Sequence, residues 1–182
     1  MLCQGWGMAV LREAAFSPDR RHRWWLQRCW SAEQPQLLFI GLNPSRADAE
    51  RDDPTLRRLI GFARAWGFGS LVVVNLFARC SASPAVLRRS SDPVGADNDH
   101  WLQRSAAAAS ALWLGWGNGG GWRQRDQEVL ALLAAALPPG VPLLAVGLTA
   151  SGQPRHPLYV PAAAQPLRLQ HPGAVRPLAA CR

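Results

Sequence analysis

The sequence predicts an α/β fold with three layers, in which a central, mostly parallel four-stranded sheet lies between helices. Four short apolar runs recur along the chain without polar alternation, as strands covered on both faces require. Segments with helical periodicity separate the runs, which favours strand–helix–strand crossovers. The runs are QLLFIGL (36–42), SLVVVNLF (70–77), SALWLGW (110–116) and PLLAVGL (142–148).

The predicted helices lie between these runs. The first follows Asp53, a typical N-cap residue, begins at Pro54, which suits a first helical turn, and ends before Gly67. Residues 98–110 form the second predicted helix and residues 122–137 the third. Each helix therefore connects two apolar runs, as a three-layer fold requires.

Both ends of the chain are less regular than its middle. Within residues 1–35, AVLREAAF and RHRWWLQRCW flank the turn sequence Ser-Pro-Asp-Arg, which predicts a β-hairpin that extends or covers the sheet. The tail, 161–182, is rich in proline and alanine, and its LRLQ segment is a candidate last strand. We expect a single domain of 182 residues whose core spans 36–160.

The charge balance allows an acidic partner. The formal net charge is +8, and all 20 basic residues are arginine. This suits nucleic acid or a nucleotide, although a well-solvated surface is the alternative explanation. No apolar segment is long enough to cross a membrane, and the first residues lack the basic start of a signal peptide. A cytoplasmic monomer is expected.

The cysteines do not form a metal-binding pattern. The four are widely spaced, and no two are arranged as C-x-x-C, the spacing usual in zinc and iron–sulfur sites. Reduced thiols are therefore expected, with neither a metal nor another cofactor. They are Cys3, Cys29, Cys80 and Cys181.

Polar side chains lie within or after three of the four apolar runs. Asn43 follows the first, Asn75 lies in the second, and His156 follows the fourth. Ligands of open α/β sheets bind at the carboxyl ends of the strands, so we expect these side chains to line one pocket. Three uncharged hydrogen-bonding groups suit a planar polar ligand such as a nucleobase. A turn at Asn43 and a strand end at Asn75 are the alternatives.

Four motifs resemble those of a known superfamily. LLFIGLNPS resembles the first motif of the uracil-DNA glycosylases, closest to their mismatch-specific branch. VVVNLFARCS, ALWLGWGNGG and GQPRHPLY resemble their later motifs, in the same order. More narrowly, GLNPSRADAERDDPTLRR, VVVNLFA and SGQPRHPLY resemble a bacterial and phage domain family of unknown function. The resemblance implies a glycosylase-like fold over residues 36–160, and it favours DNA as the nucleic acid partner.

The same resemblance implies functional roles. Asn43 would position the hydrolytic water, Asn75 would read the edge of the base, and His156 would bind a base carbonyl. The implied reaction is hydrolysis of an N-glycosidic bond, in which His156 stabilises the negative charge on the departing base.

Carboxylates decide between hydrolysis and simple binding. An amide is a poor base, so Asp48 or Asp52 is a candidate to activate the water or to stabilise the cationic sugar. Asp53 is assigned to capping the first helix. Hydrolysis is favoured if Asp48 or Asp52 faces the pocket, and a non-catalytic binding module is favoured if both face solvent. A different chemistry on the same scaffold is the third alternative.

The remaining candidates lie near the strand ends. Further residues within the motifs are assigned to base binding, with the aromatic ones available for stacking. Arginines around the first loop and the last motif, with one serine, are assigned to phosphate binding, although a solvated helix face explains the arginines equally well. The base-binding candidates are Gly41, Leu42, Phe77 and Trp116, and the phosphate-binding candidates are Ser45, Arg46, Arg57 and Arg155.

Overall fold

A mixed β-sheet with helices on both faces forms the framework in the computed structural model, which describes residues 10–171 and 174–177. Along the sheet the strands follow the order β1-β2-β4-β3-β5-β6-β7-β8. The strands are β1 (Leu11–Phe16), β2 (Arg23–Cys29), β3 (Gln36–Gly41), β4 (Ser70–Asn75), β5 (Ala111–Leu114), β6 (Leu143–Ala145), β7 (Leu167–His171) and β8 (Ala174–Pro177).

Each predicted apolar run contains a strand, β3 to β6. β3 pairs in parallel with both β4 and β5, and β5 pairs in parallel with β6. Further strands pair antiparallel on both sides of these four. The sheet is thus larger and more mixed than the sequence predicts, because the irregular ends of the chain also join it.

The predicted hairpin extends the sheet. β1 and β2 pair antiparallel, and β2 pairs antiparallel with β4, with Leu26 opposite Val73. This pairing brings the start of β2 close to the carboxyl end of β4. The LRLQ segment lies in β7, which pairs antiparallel with β6.

Four α-helices are present within the described residues, and one of them, the short α2, is not predicted. α1 begins at Pro54, and Asp53 caps it through a hydrogen bond from the Leu56 amide, as predicted. α3 ends three residues before its predicted end. The helices are α1 (Pro54–Ala65), α2 (Pro84–Arg88), α3 (Asn98–Ala107) and α4 (Arg125–Ala136).

The start of α4 differs from the prediction for a backbone reason. Residues Gly117–Gln124 form 3₁₀ turns, and α4 begins only at Arg125. Arg123 and Gln124 have φ values of 58° and 57°. An α-helix cannot pass through left-handed residues, so the helical pattern of the sequence starts too early.

Two apolar cores cover the faces of the sheet. On one face, Leu59 and Phe62 of α1 pack with Phe39 and Trp113. On the other face, α3 and α4 pack against the alternate residues of the same strands, such as Ile40. Burial on both faces explains why the strand sequences are apolar without alternation. Within the described residues, no helix is both long enough and apolar enough to cross a membrane.

Candidate functional site

A pocket of about 760 Å³ opens at the edge of the sheet where β3 and β4 end. Gly41 and Asn75, the last residues of these two strands, both line it. Loops after β5 and β6 supply the opposite wall, and the start of α1 supplies a third side. The pocket therefore occupies the position at which open α/β sheets bind ligands.

Asn43, Asn75 and His156 all line this one pocket. They come from three different connections, after β3, at the end of β4 and after β6, and the parallel pairing of the strands brings these connections to the same edge. The shared location expected from the sequence is therefore found. Their chemical roles depend on which polar atoms remain free.

The amide of Asn43 is held in a fixed orientation. Its Nδ2 donates hydrogen bonds to the Pro44 carbonyl at 2.9 Å, the Ser81 carbonyl at 3.1 Å and the Ser81 hydroxyl at 3.0 Å. Within the described residues, no donor occupies its Oδ1. Asn43 can therefore offer the pocket an acceptor, for a water molecule or for an N–H group of a ligand.

Asn75 offers a donor. Its side chain is only 3% exposed, and its Nδ2 is buried without a hydrogen-bond partner among the described residues. Leaving such a group unpaired costs about 1–3 kcal/mol. Gly41 lies directly beside it, since a Cβ there would approach the Asn75 Oδ1 to 2.9 Å. A ligand acceptor next to Asn75 would remove the cost of the unpaired amide.

His156 also offers a donor. Its Nδ1 accepts a hydrogen bond from the Leu158 amide at 3.3 Å, at the start of a 3₁₀ turn spanning Pro157–Tyr159. Burial lowers the pKa of His156, and the charge of Asp53 opposes this shift in part. The ring is therefore mainly neutral at pH 7, and because Nδ1 is an acceptor, the proton lies on Nε2.

The first of the two aspartates predicted to be catalytic, Asp48, lies outside the pocket. One of its carboxylate oxygens accepts the backbone N–H groups of Glu50 and Arg51, both at 2.8 Å. These hydrogen bonds lower the pKa of Asp48. Its role is to hold a local turn in the loop after β3, which is not the predicted role.

The second, Asp52, also lies outside the pocket. It forms ion pairs with Arg28 at 2.7 Å and with Arg12 at 3.1 Å. Arg28 is completely buried and also donates to the Asp48 carbonyl at 2.6 Å. Asp52 therefore anchors the loop to β2, and the interaction with Arg28 turns it away from the pocket.

Asp53 is the carboxylate that lines the pocket. Its Oδ1 accepts the Leu56 amide at 2.7 Å, which is the predicted capping interaction. Within the described residues, its second oxygen has no hydrogen-bond donor. The sequence predicts only a capping role for Asp53, but a carboxylate has two oxygens and can serve both the helix and the pocket.

The other predicted base-binding residues divide into two groups. Gly41, Leu42 and Trp116 line the pocket. Phe77 does not, because the chain turns into the core after Asn75. Phe77 is 0% exposed and packs on Trp122, with ring centroids 4.9 Å apart. Its predicted role in stacking on a base is therefore corrected to a role in core packing.

Trp116 is an anchored wall of the pocket. It is 2% exposed, and its Nε1 donates to Gln153 Oε1 at 2.6 Å. Gln153 in turn donates to Asp126 at 2.7 Å. Gly120 is required for this arrangement, since a Cβ there would lie 2.1 Å from the Trp116 ring. The indole ring therefore has a fixed position.

Only two of the four predicted phosphate-binding residues line the pocket. Ser45 and Arg155 line the pocket, whereas Arg46 and Arg57 lie outside it and are exposed. Arg57 donates to the Asp52 carbonyl at 2.6 Å, because its position in the first turn of α1 directs it back toward the preceding loop. The cluster of arginines in the sequence therefore does not form one wall of the pocket.

Two arginines that the sequence argument missed line the pocket, Arg23 and Arg88. Arg88 is exposed, but Arg23 is only 4% exposed. Arg23 Nη1 donates to the Ala47 carbonyl at 2.7 Å, while its Nε is buried without a partner among the described residues. Burial lowers the pKa of Arg23 to about 10, so the group remains charged at pH 7.

Cys29 and Cys80 are free thiols, and burial raises the pKa of Cys80. Cys3 and Cys181 lie outside the described residues. Within the part of the chain that the structure describes, no three histidine, cysteine, aspartate or glutamate side chains are grouped as metal ligands would be.

Comparison with known proteins assigns a family without assigning an activity. A family model described as "Protein of unknown function (DUF1643)" matches residues 23–158. This range runs from the start of β2 to the turn that follows His156. No curated protein and no solved structure matches the chain.

Proposed function

The chain belongs to the DUF1643 family, whose description gives no function. On the basis of the pocket, we propose that the protein binds a nucleobase, carried by a nucleotide or by nucleic acid. The pocket volume of about 760 Å³ accommodates a ligand of this size.

One observation carries this proposal: three uncharged polar side chains that line the same pocket have hydrogen-bonding atoms without a partner within the described residues. Asn75 Nδ2 and His156 Nε2 are donors, and Asn43 Oδ1 is an acceptor. The edge of a nucleobase with carbonyl and N–H groups has the complementary pattern. Proteins that bind a single base read it through hydrogen bonds to this edge.

Hydrolysis of the N-glycosidic bond is the second candidate function, and Asp53 favours it. Asp53 lines the same pocket as Asn43, and one of its carboxylate oxygens has no hydrogen-bond donor within the described residues. In the proposed step, a water molecule oriented by Asn43 attacks C1′ of the sugar and gives a proton to Asp53. The C1′–N bond breaks and its electron pair leaves with the base, whose oxygen accepts a hydrogen bond from His156 Nε2.

The proposal includes a glycosylase-like fold and DNA as a source of the base. The parallel pairing of β3 with β4 and β5 supports the fold, as does the order in which the polar residues follow the strands. The exposed Tyr159 and Leu158 beside the pocket are suitable for contacting neighbouring bases.

Binding is tested by calorimetry with the four common nucleosides and their 5′-monophosphates. Asn75→Asp changes the free donor into an acceptor at almost constant volume, so we expect affinity for the preferred base to fall by at least tenfold. Gln127→Glu makes the same chemical change at an exposed position of α4 and should have no effect. Equal affinity of the wild type and the Asn75→Asp variant would contradict the proposal.

Hydrolysis is tested by measuring base release from nucleotides and from oligonucleotides that contain modified bases. Asparagine caps a helix about as well as aspartate, so Asp53→Asn should remain folded and still bind the base. Base release should fall by a factor of about 10²–10⁴. If the wild type releases no base from any of these substrates, the protein is a binding module and the hydrolytic assignment is wrong.

A further inference from the structure

We propose that Arg23 forms an anion subsite inside this pocket, and that the ligand is a mononucleotide whose phosphate monoester Arg23 binds. The identity of the base portion rests on the proposed function, whereas the anion subsite rests on Arg23 and on the positive charge of the pocket lining. The inference thus chooses a small nucleotide over a nucleic acid strand as the ligand.

The surroundings of Arg23 differ from those of the other buried arginines. Within the described residues, Arg23, Arg28 and Arg125 are the buried arginines. Arg28 pairs with Asp52, and Arg125 pairs with carboxylates of α3 and α4. Among the described residues, no carboxylate lies within 4 Å of Arg23. A buried charge without a partner is strongly unfavourable, which makes a charged ligand the natural partner.

The hydrogen bonds of Arg23 are also incomplete. A guanidinium has five N–H donors in a planar fork that suits phosphate. One of its nitrogens, Nη1, donates to the Ala47 carbonyl, and the buried Nε has no partner among the described residues. If Arg23 served only to hold the Ala47 carbonyl, a neutral side chain with one hydrogen-bond donor would be sufficient. The positive charge and the unused Nε therefore require a further explanation.

The charges of the pocket as a whole favour an anion. Arg23, Arg88 and Arg155 line it, and Asp53 is the only acidic side chain among its lining residues within the described ranges. Asp53 acts on Arg23 through its charge at longer range, but it lies beyond ion-pair distance. Three cations against one carboxylate leave a positive pocket that can hold a phosphate dianion.

The burial of Arg23 distinguishes a monoester from a nucleic acid strand. With 4% of its surface exposed, Arg23 is accessible only to a ligand group that enters the pocket. The phosphodiester of a polymer continues in both directions, so its phosphates are held more easily at a rim than at a buried group. A terminal phosphate of a mononucleotide has no such restriction.

The experiment compares nucleosides, their 5′-monophosphates and inorganic phosphate by calorimetry. The wild type should bind the preferred monophosphate at least tenfold more tightly than its nucleoside, and inorganic phosphate should compete with it. Arg23→Gln, which keeps a neutral donor near Ala47, should reduce monophosphate affinity by about 10- to 100-fold and leave nucleoside affinity unchanged. Arg23→Lys should lose less than Arg23→Gln. The exposed Arg168→Gln in β7, outside the pocket, is the matched control and should change nothing.

Equal affinity of the wild type for nucleoside and monophosphate would overturn the inference. That comparison decides the matter even if Arg23→Gln fails to fold. Binding of monophosphate that Arg23→Gln leaves intact would overturn it as well. Phosphate binding that depends on Arg23 but not on the base would support the anion subsite and reject the proposed function. Nucleoside binding that depends on Asn75, without any gain in affinity from the phosphate, would support the proposed function and reject the anion subsite.

Discussion

His156 is the side chain through which pH acts most directly on the pocket. Its neutral ring has a defined tautomer because Nδ1 accepts the Leu158 amide. Protonation would replace this acceptor with a second donor and would break the cap of the 3₁₀ turn. Ligand binding and local stability therefore both depend on the neutral form.

This leads to a prediction about stability and pH. Burial lowers the folded-state pKa of His156 below the ordinary value of 6.5, so the unfolded chain binds the proton more readily. The free energy that neutral His156 contributes to stability is complete above pH 6.5, the ordinary pKa. It is lost as the pH falls from there through the lower pKa of the folded state. When the pH is lowered from about 7.5 to about 5.5, the free energy of unfolding should fall less for His156→Asn than for the wild type.

The measurement is urea unfolding of both proteins at the two pH values. Asparagine keeps an oxygen that can cap the turn, so the variant tests the titration and not the cap. The exposed His100→Asn is the control and should behave like the wild type. An equal loss of stability in wild type and His156→Asn would contradict the assignment.

At the scale of elements, the loop between β3 and α1 is held by the hairpin. Arg28 of β2 contacts Asp52 and the Asp48 carbonyl, and Arg23 of the same strand contacts the Ala47 carbonyl. The loop has little regular structure of its own, yet these contacts fix its course beside the pocket. The hairpin thus positions Asp53 indirectly.

Asp52 is predicted to matter for stability and not for chemistry. Asp52→Asn would leave Arg28 buried without a charged partner, which should lower the free energy of unfolding by about 3–5 kcal/mol. The exposed Glu50→Gln, in the same loop, should change it by less than about 0.5 kcal/mol. Urea unfolding measures both. A loss below about 1 kcal/mol for Asp52→Asn would show that the ion pair is not an anchor.

The sequence predicts those features that local contacts determine, and it does not predict those that contacts between distant residues determine. α1 follows its predicted start because Asp53 and Pro54 fix it locally. Which of two adjacent aspartates faces the pocket depends instead on Arg28, 24 residues away. Arg23 was missed for a related reason, since its place in the pocket follows from the pairing of β2 with β4.

Phe77 illustrates the same limit within a single segment. It lies two residues after Asn75, and the motif suggests that both face the ligand. The strand ends at Asn75, however, and Asn98 holds the following turn by donating to the carbonyls of Asn75 and Leu76 at 3.1 and 3.0 Å. The direction of Phe77 after this turn is set by tertiary packing, which no local pattern records.

At the scale of the whole molecule, ligand binding and unfolding are coupled. A ligand at 100 times its Kd stabilises the folded state by about 2.7 kcal/mol. For a chain of 182 residues this corresponds to a rise in Tm of roughly 5–10 °C. The preferred mononucleotide should produce this shift in a calorimetric scan, and the Asn75→Asp variant should show a clearly smaller one at the same ligand concentration. A shift of the same size in both proteins would indicate binding elsewhere.

The hairpin formed by β1 and β2 also has a consequence for how the chain avoids self-association. β4 is entirely buried and carries the sequence SLVVVN, and without β2 its outer side would be an unpaired strand edge of high β propensity. Within the described residues, the outermost strand on this side of the sheet is instead β1, which carries the exposed Arg12 and Glu13. Charged edge strands resist pairing with other molecules. A fragment that begins at β3 would therefore be expected to aggregate, even though it contains most of the pocket.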